Sequence, residues 1–139
     1  MADIQAVVRR LYDEVFTQGN VGLIDEVMHD DFVEHEELPP GIPPGREAPK
    51  AMTAIMRSAF PDFRADVEEM LQDGDKVIAR VRFSGTHQGE FMGIPATGNR
   101  FDINVIDILE FQGDKAIAHW GLMDTAKMME QLGVGGPPG

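Results

Sequence analysis

Two runs of strict alternation, each bordered by a glycine-bearing turn, set the narrowest limit on what this chain can become. From Lys76 to Phe83, Val77, Ala79, Val81 and Phe83 fall on one face while Lys76, Arg80 and Arg82 fall on the other. That period of two is the mark of a strand with one buried face. From Phe101 to Phe111 the pattern repeats, with Phe101, Ile103, Val105, Leu109 and Phe111 sharing one parity. Asp73-Gly74-Asp75 supplies one hairpin turn, because Asp-Gly tolerates the positive backbone angles such turns require, and Gln112-Gly113-Asp114-Lys115 supplies a second. Strands over Phe63–Leu71, Lys76–His87, Asn99–Phe111 and Ala116–Met123 follow, joined largely by hairpins and therefore antiparallel. Asp107 carries the buried parity of its strand, and a carboxylate on an apolar face points to chemistry.

Helices lie mainly ahead of these strands. Ile4, Val7, Val8, Leu11, Tyr12, Val15 and Phe16 recur at helical spacing, with Asp3 suited to the N-cap and Gly19 to the stop. A short second helix carries Leu23, Ile24, Val27 and Met28, with Asn20 as its expected cap. Phe32–Glu36 then reads as a short strand, Val33 and His35 on one face and Phe32, Glu34 and Glu36 on the other. The segment Leu38–Gly45 holds four prolines and two glycines, which neither helix nor central strand accommodates. It is a loop, and Leu38 and Ile42 suit a lid over a cavity. Pro49 opens a third helix bearing Met52, Ile55, Met56 and Ala59. A last helix spans Thr125 to Leu132, and Gly133 ends it.

This order describes an α+β fold, a curved sheet wrapped over three N-terminal-side helices into a cone with one open mouth. The expected organisation is one domain over residues 1–133 and a Gly/Pro-rich tail over 134–139. A second glycine- and proline-bearing loop, Gly89–Gly98, carries Phe91, Met92 and Ile94, more apolar surface than a free loop usually exposes. An apolar pocket in such a cone would draw on Tyr12, Met52, Met56, Phe83, Phe91, Met92 and Trp120.

Charge and composition narrow the partners. A net charge of -12 repels nucleic acid and anionic membranes, so neither is an expected partner. There is no cysteine, which excludes disulfides, thiolate nucleophiles and zinc–thiolate sites. No spacing among His29, Asp30, Asp31, Glu34, His35 and Glu36 matches a zinc or calcium signature, and no dinucleotide fingerprint is present, so no metal and no cofactor are expected. The N-terminus lacks a secretory pattern and no apolar run reaches bilayer length, so the expected location is cytoplasmic.

Leu11–Asn20, Phe60-Pro61-Asp62-Phe63, the block Gly85–Gly98 with its Gly-Thr-His and Gly-Ile-Pro-Ala-Thr-Gly elements, and His119-Trp120-Gly121-Leu122-Met123-Asp124 stand out along the chain. Together they resemble the SnoaL-like polyketide cyclase family. The likeness runs from about Val7 to Gly133. It implies the cone-shaped barrel of nuclear transport factor 2 and ketosteroid isomerase, and a cofactor-free cyclase that closes a ring by intramolecular aldol condensation. By place in the motif, it also implies a catalytic aspartate at Asp124 and a pocket histidine at His35.

The residues themselves leave alternatives open. Asp124 immediately precedes the last helix, where aspartate is a favoured N-cap; the resemblance turns that reading toward catalysis, with Trp120 and Leu122 as a dry wall. His119 and His35 are candidates to orient substrate or stabilise an enolate oxygen, although His119 has strand parity opposite to Asp124. Asp107 is the second acid, read either as a structural carboxylate paired with Arg80 or Arg82 or as a functional partner for another acid. His87 reads as an organiser of its turn. A non-catalytic module holding an apolar small molecule, or an isomerase or epoxide hydrolase on the same frame, remains compatible with the chain. A homodimer is expected, because Ile106 and Ile108 would otherwise lie bare on the outer sheet face.

Overall fold

The computed structural model describes residues 3–134. Asp3 caps the first helix, its side chain accepting from the Ala6 N–H at 3.1 Å. Helix α1 (Ile4–Arg10) runs on into wider π-helical turns over Leu11–Thr17, which carry the buried Leu11, Tyr12 and Val15. Gly19, at φ +83°, ends this unit in the left-handed region that glycine enters at low cost. Helix α2 (Gly22–Val27) starts one residue later than expected, with Val21 and not Asn20 in the cap position.

Strand β1 (Met28–Glu34) takes in Met28, which the sequence placed on the second helix, and the polar run His29-Asp30-Asp31 after it. The proline-rich loop leads to α3 (Glu47–Ala59), followed by β2 (Arg64–Asp73), β3 (Lys76–Thr86), β4 (Arg100–Gln112) and β5 (Lys115–Met123). Helix α4 (Thr125–Leu132) closes the described chain. The sheet order is β1-β5-β4-β3-β2. Three pairings are antiparallel, and β1 joins β5 in parallel at the edge. The antiparallel hairpins bend at Gly74 (φ +61°) and Gly113 (φ +63°).

The inner sheet face packs on the helices through Ala65, Val77, Ala79, Val81, Phe101, Ile103, Val105 and Leu109. Their alternation with exposed residues on the same strands is what orients the sheet. Phe60 stacks edge-on to Phe101 at 4.7 Å. Phe91 packs against Phe60 at 5.2 Å, so the second loop turns its aromatic residue into this core and not into a pocket. Close approach makes Gly89 obligatory there, since a Cβ would lie 2.4 Å from the Ser58 carbonyl oxygen. His87 is fully buried and organises the same loop, its Nδ1 accepting from the Thr97 N–H at 3.3 Å.

Of the expected tail, Val134 belongs to the helix stop: its N–H donates to the Met129 carbonyl at 2.9 Å, beside Gly133 at φ +80°. The rest, 135–139, lies outside the described residues.

Candidate functional site

A cavity of about 850 Å³, mouth included, opens between the inner sheet face and the helices. Its walls are almost wholly apolar, and Tyr12, Met52, Met56 and Phe83 line it as the sequence suggested. Leu38 from the proline-rich loop also faces it, whereas Ile42 does not.

Strand parity delivers the polar groups. On β4, Asp107 takes the inward place between Val105 and Leu109 and is 5% exposed. Register sets His119 of β5 opposite Leu109 and Gly121 opposite Asp107, so both point inward too. On β1, Phe32 faces the core, and Glu34 shares its parity. Glu36, just past the strand end, keeps that parity, its N–H donating to Glu34 Oε1 at 3.0 Å. The result is one cluster of Tyr12, Glu34, Glu36, Asp107 and His119.

Its hydrogen bonds form a chain. The Tyr12 hydroxyl donates to Asp107 Oδ2 at 2.5 Å. His119 Nε2 lies 2.8 Å from Asp107 Oδ1, and His119 Nδ1 lies 2.6 Å from Glu34 Oε1. Both ring nitrogens meet carboxylate oxygens, which only accept, so the ring that satisfies both is the imidazolium. Burial works against that charge, but hydrogen bonds and attraction from Asp107 and Glu34 outweigh it and push the His119 pKa up to about 10. Burial raises the Glu36 carboxyl to about 7, with the charges of Asp107 and Glu34 adding to the rise and His119 opposing it. Burial, reinforced by the neighbouring Asp107 charge, holds the Tyr12 hydroxyl well above its usual pKa.

Glu36, Asp107 and His119 offer donor atoms within 4.8 Å of one another and are the residues that could hold a metal ion. As an imidazolium bonded through both nitrogens, the His119 ring has no lone pair to offer such an ion.

Several expected site residues lie elsewhere. Asp124 is exposed and caps α4, accepting from the Lys127 N–H at 3.2 Å. It continues the outward parity of Trp120 and of Leu122, which is 79% exposed, so the chain cannot turn both Asp124 and His119 into the cone. His35 alternates with Glu34 and Glu36 and is therefore outward, stacked on Trp120 at 4.5 Å and 3° on the outer sheet face. Trp120 is thus no pocket residue, nor is Met92, 46% exposed on its loop at φ +51°. Phe91, in the core, does not line the cavity either. Arg80 and Arg82 pair with Glu69 and Asp102, leaving Asp107 to Tyr12 and His119. Sequence reasoning missed Glu34 and Glu36 as site residues. The signal was available, since both share the parity of Phe32, the one aromatic residue of that strand.

Comparison with known proteins agrees with this architecture. The family model for SnoaL-like polyketide cyclases matches residues 6–132. Aklanonic acid methyl ester cyclase DauD of Streptomyces sp. (strain C5) is 31% identical over 135 residues, covering 91% of this chain and 80% of that protein. Nogalonic acid methyl ester cyclase of Streptomyces nogalater is 28% identical over 120 residues, covering 85% and 89%. Among solved structures, IdmH, a putative polyketide cyclase from Streptomyces antibioticus, superposes with a TM-score of 0.82 at 32% identity, covering 95% of this chain and 99% of that one.

Proposed function

Since the chain belongs to the SnoaL-like polyketide cyclase family, we propose that it closes a ring on a polyketide methyl ester by intramolecular aldol condensation, using acid–base chemistry and no cofactor. The family makes it an enzyme of the polyketide cyclase type acting on an apolar small molecule. The ester substrate is carried over from the names of the relatives. The observation that carries the reaction is the cluster at the end of an otherwise apolar cavity, where Asp107 and His119 meet at 2.8 Å. Apolar walls take up the hydrocarbon skeleton and exclude water, which strengthens every charge inside. The imidazolium of His119 favours the negative charge that develops on an enolate and then on the new alkoxide. Asp107, bonded to Tyr12 and His119, holds that imidazolium in place and in its charged form.

Incubating the protein with aklanonic or nogalonic acid methyl ester, in the presence of a chelator, is the direct test. The expected product has the mass of the substrate and a different chromatographic retention, because an aldol closure conserves every atom. Absence of any cyclised product overturns the reading. Two acids in one cavity also suit water addition to an epoxide, and that product would instead gain the mass of water.

The assembly in this reading is a homodimer in the cytoplasm. Its support is the outer sheet face, where Ile106 and Leu122 are cross-strand neighbours, 41% and 79% exposed, beside the exposed Trp120. No helix among the described residues is long and apolar enough to cross a membrane.

A further inference from the structure

We propose that Glu36 is the group that removes and returns the proton during ring closure, and that Gly121 is the positioning residue that gives its carboxyl group room beside Asp107 and His119. This rests on the cyclase reading above and adds to it the proton carrier.

A proton carrier must be free to change its protonation state without abandoning a buried partner. Asp107 is not free, because one oxygen receives the Tyr12 hydroxyl and the other faces His119. Glu34 is not free either: the same oxygen meets His119 Nδ1 and the Glu36 N–H. Both nitrogens of His119 are engaged by these acids. Glu36 alone among the cluster's acids faces the cavity while its carboxyl oxygens enter no hydrogen bond or ion pair with the described residues.

Its place is created by a missing atom. A Cβ on residue 121 would lie 2.4 Å from Glu36 Oε1, 2.6 Å from Asp107 Oδ1 and 2.9 Å from His119 Cε1. Separations that short are excluded for real side chains, so the Glu36 carboxyl fills the hollow above Gly121. Any larger residue there would drive it from the cluster. The backbone of β5 thus serves as the floor on which three acid–base groups converge.

The pKa near 7 fits the task, since a carboxyl close to half-ionised at working pH both takes and gives a proton readily. In the forward direction the Glu36 carboxylate takes a proton from the carbon between two carbonyls, and the electron pair of the broken C–H bond passes to the carbonyl oxygen as an enolate. The enolate carbon then attacks a ketone carbon within the same molecule, and the π electrons of that carbonyl move to its oxygen. The resulting alkoxide recovers the proton from the Glu36 carboxyl. One C–C bond forms, one hydroxyl is left, and the carboxylate is regenerated with no oxidant or reductant.

The test compares wild type with Glu36→Gln, a near-isostere that cannot carry the proton, using Asp124→Ala as a variant outside the cluster. With the methyl ester substrate, Glu36→Gln is expected to lower kcat about 100- to 10,000-fold with little change in KM. Wild type should lose activity on the acid side with a midpoint near 7, and Gly121→Ala should lower that midpoint or kcat. A Glu36→Gln rate within twofold of wild type overturns the inference while leaving the cyclase reading intact. If wild type closes no ring, the cyclase reading fails, and the carboxyl carbon resonance of Glu36 decides the remainder. A midpoint near 7, absent in Glu36→Gln, supports a poised proton carrier, and an ordinary carboxylate midpoint overturns it.

Discussion

The charge arrangement in the cavity makes the folded protein lose stability as pH rises from mildly acidic to alkaline, and the size of that loss can be worked out. The folded chain holds a proton on His119 up to about pH 10, whereas the unfolded chain releases it near 6.5. Its contribution is therefore complete below about pH 6.5 and is lost as pH rises through 10. Each pH unit in that window costs about 1.4 kcal/mol, so the span from pH 7 to 10 costs about 3–4 kcal/mol. Glu36 has the same sign: its folded pKa of about 7 lies above the ordinary 4.5, so a further loss of about 2 kcal/mol, discounted for its partial exposure, falls between pH 4.5 and 7. Urea unfolding followed by far-UV circular dichroism at unit steps from pH 5 to 10 measures both. With a slope of roughly 1–3 kcal/mol per molar urea, the midpoint should drop by roughly 1–4 M between pH 7 and 10. His119→Gln should abolish that alkaline decline, because it removes the proton concerned. It should also weaken the fold by about 3–5 kcal/mol at neutral pH, leaving two buried carboxylates without their cation. A wild-type midpoint that stays level from pH 7 to 10 would refute the assignment of a buried imidazolium.

Asp124→Ala should retain full cyclase activity and lose about 1 kcal/mol of stability, the usual worth of an N-cap, read as a drop of about 3–5 °C in Tm. A large fall in kcat with unchanged Tm would restore the catalytic reading of that aspartate. Leu122→Lys places a charge in the centre of the bare outer face and should halve the mass seen by light scattering while ring closure continues. A wild-type mass equal to one chain would remove the dimer from the proposal.

Much of the frame was legible because it depends on patterns that short-range rules capture. The hairpins at Gly74 and Gly113, the inward parity of β4 and the span of α4 follow from alternation, glycine-bearing turns and a glycine stop. What was misjudged lay where parity and resemblance disagreed. Asp124 was assigned to catalysis on its position in the motif, against its own N-cap signature and against the alternation that sets it opposite to His119. Tertiary structure followed the alternation, since a one-residue shift would have turned Trp120 and Leu122 into the core and His119 out of it. The polar run at β1 was illegible for a different reason. His29, Asp30 and Asp31 have no strand propensity of their own, and it is pairing with β5 that draws Met28 into the sheet.

The same alternation explains why the acids on β1 matter more than their neighbours in the motif. Three carboxyl groups and one imidazole converge at the end of the cavity, and Asp107 and Glu34 together fix the imidazole as a cation. If all three acids were ionised, the cluster would carry a net charge of minus two inside apolar walls, with no arginine or lysine among the residues lining the cavity. Low-dielectric surroundings penalise such an excess heavily, and the least costly relief is a proton on one acid. The oxygens of Asp107 and Glu34 are engaged by Tyr12 and His119, whereas those of Glu36 are not, and burial raises the Glu36 carboxyl to about 7. Packing a positive ring between two acids therefore leaves a third acid, divided between its ionised and protonated forms near pH 7, in front of the substrate space. An aldol closure needs such a group twice, first as base and then as acid.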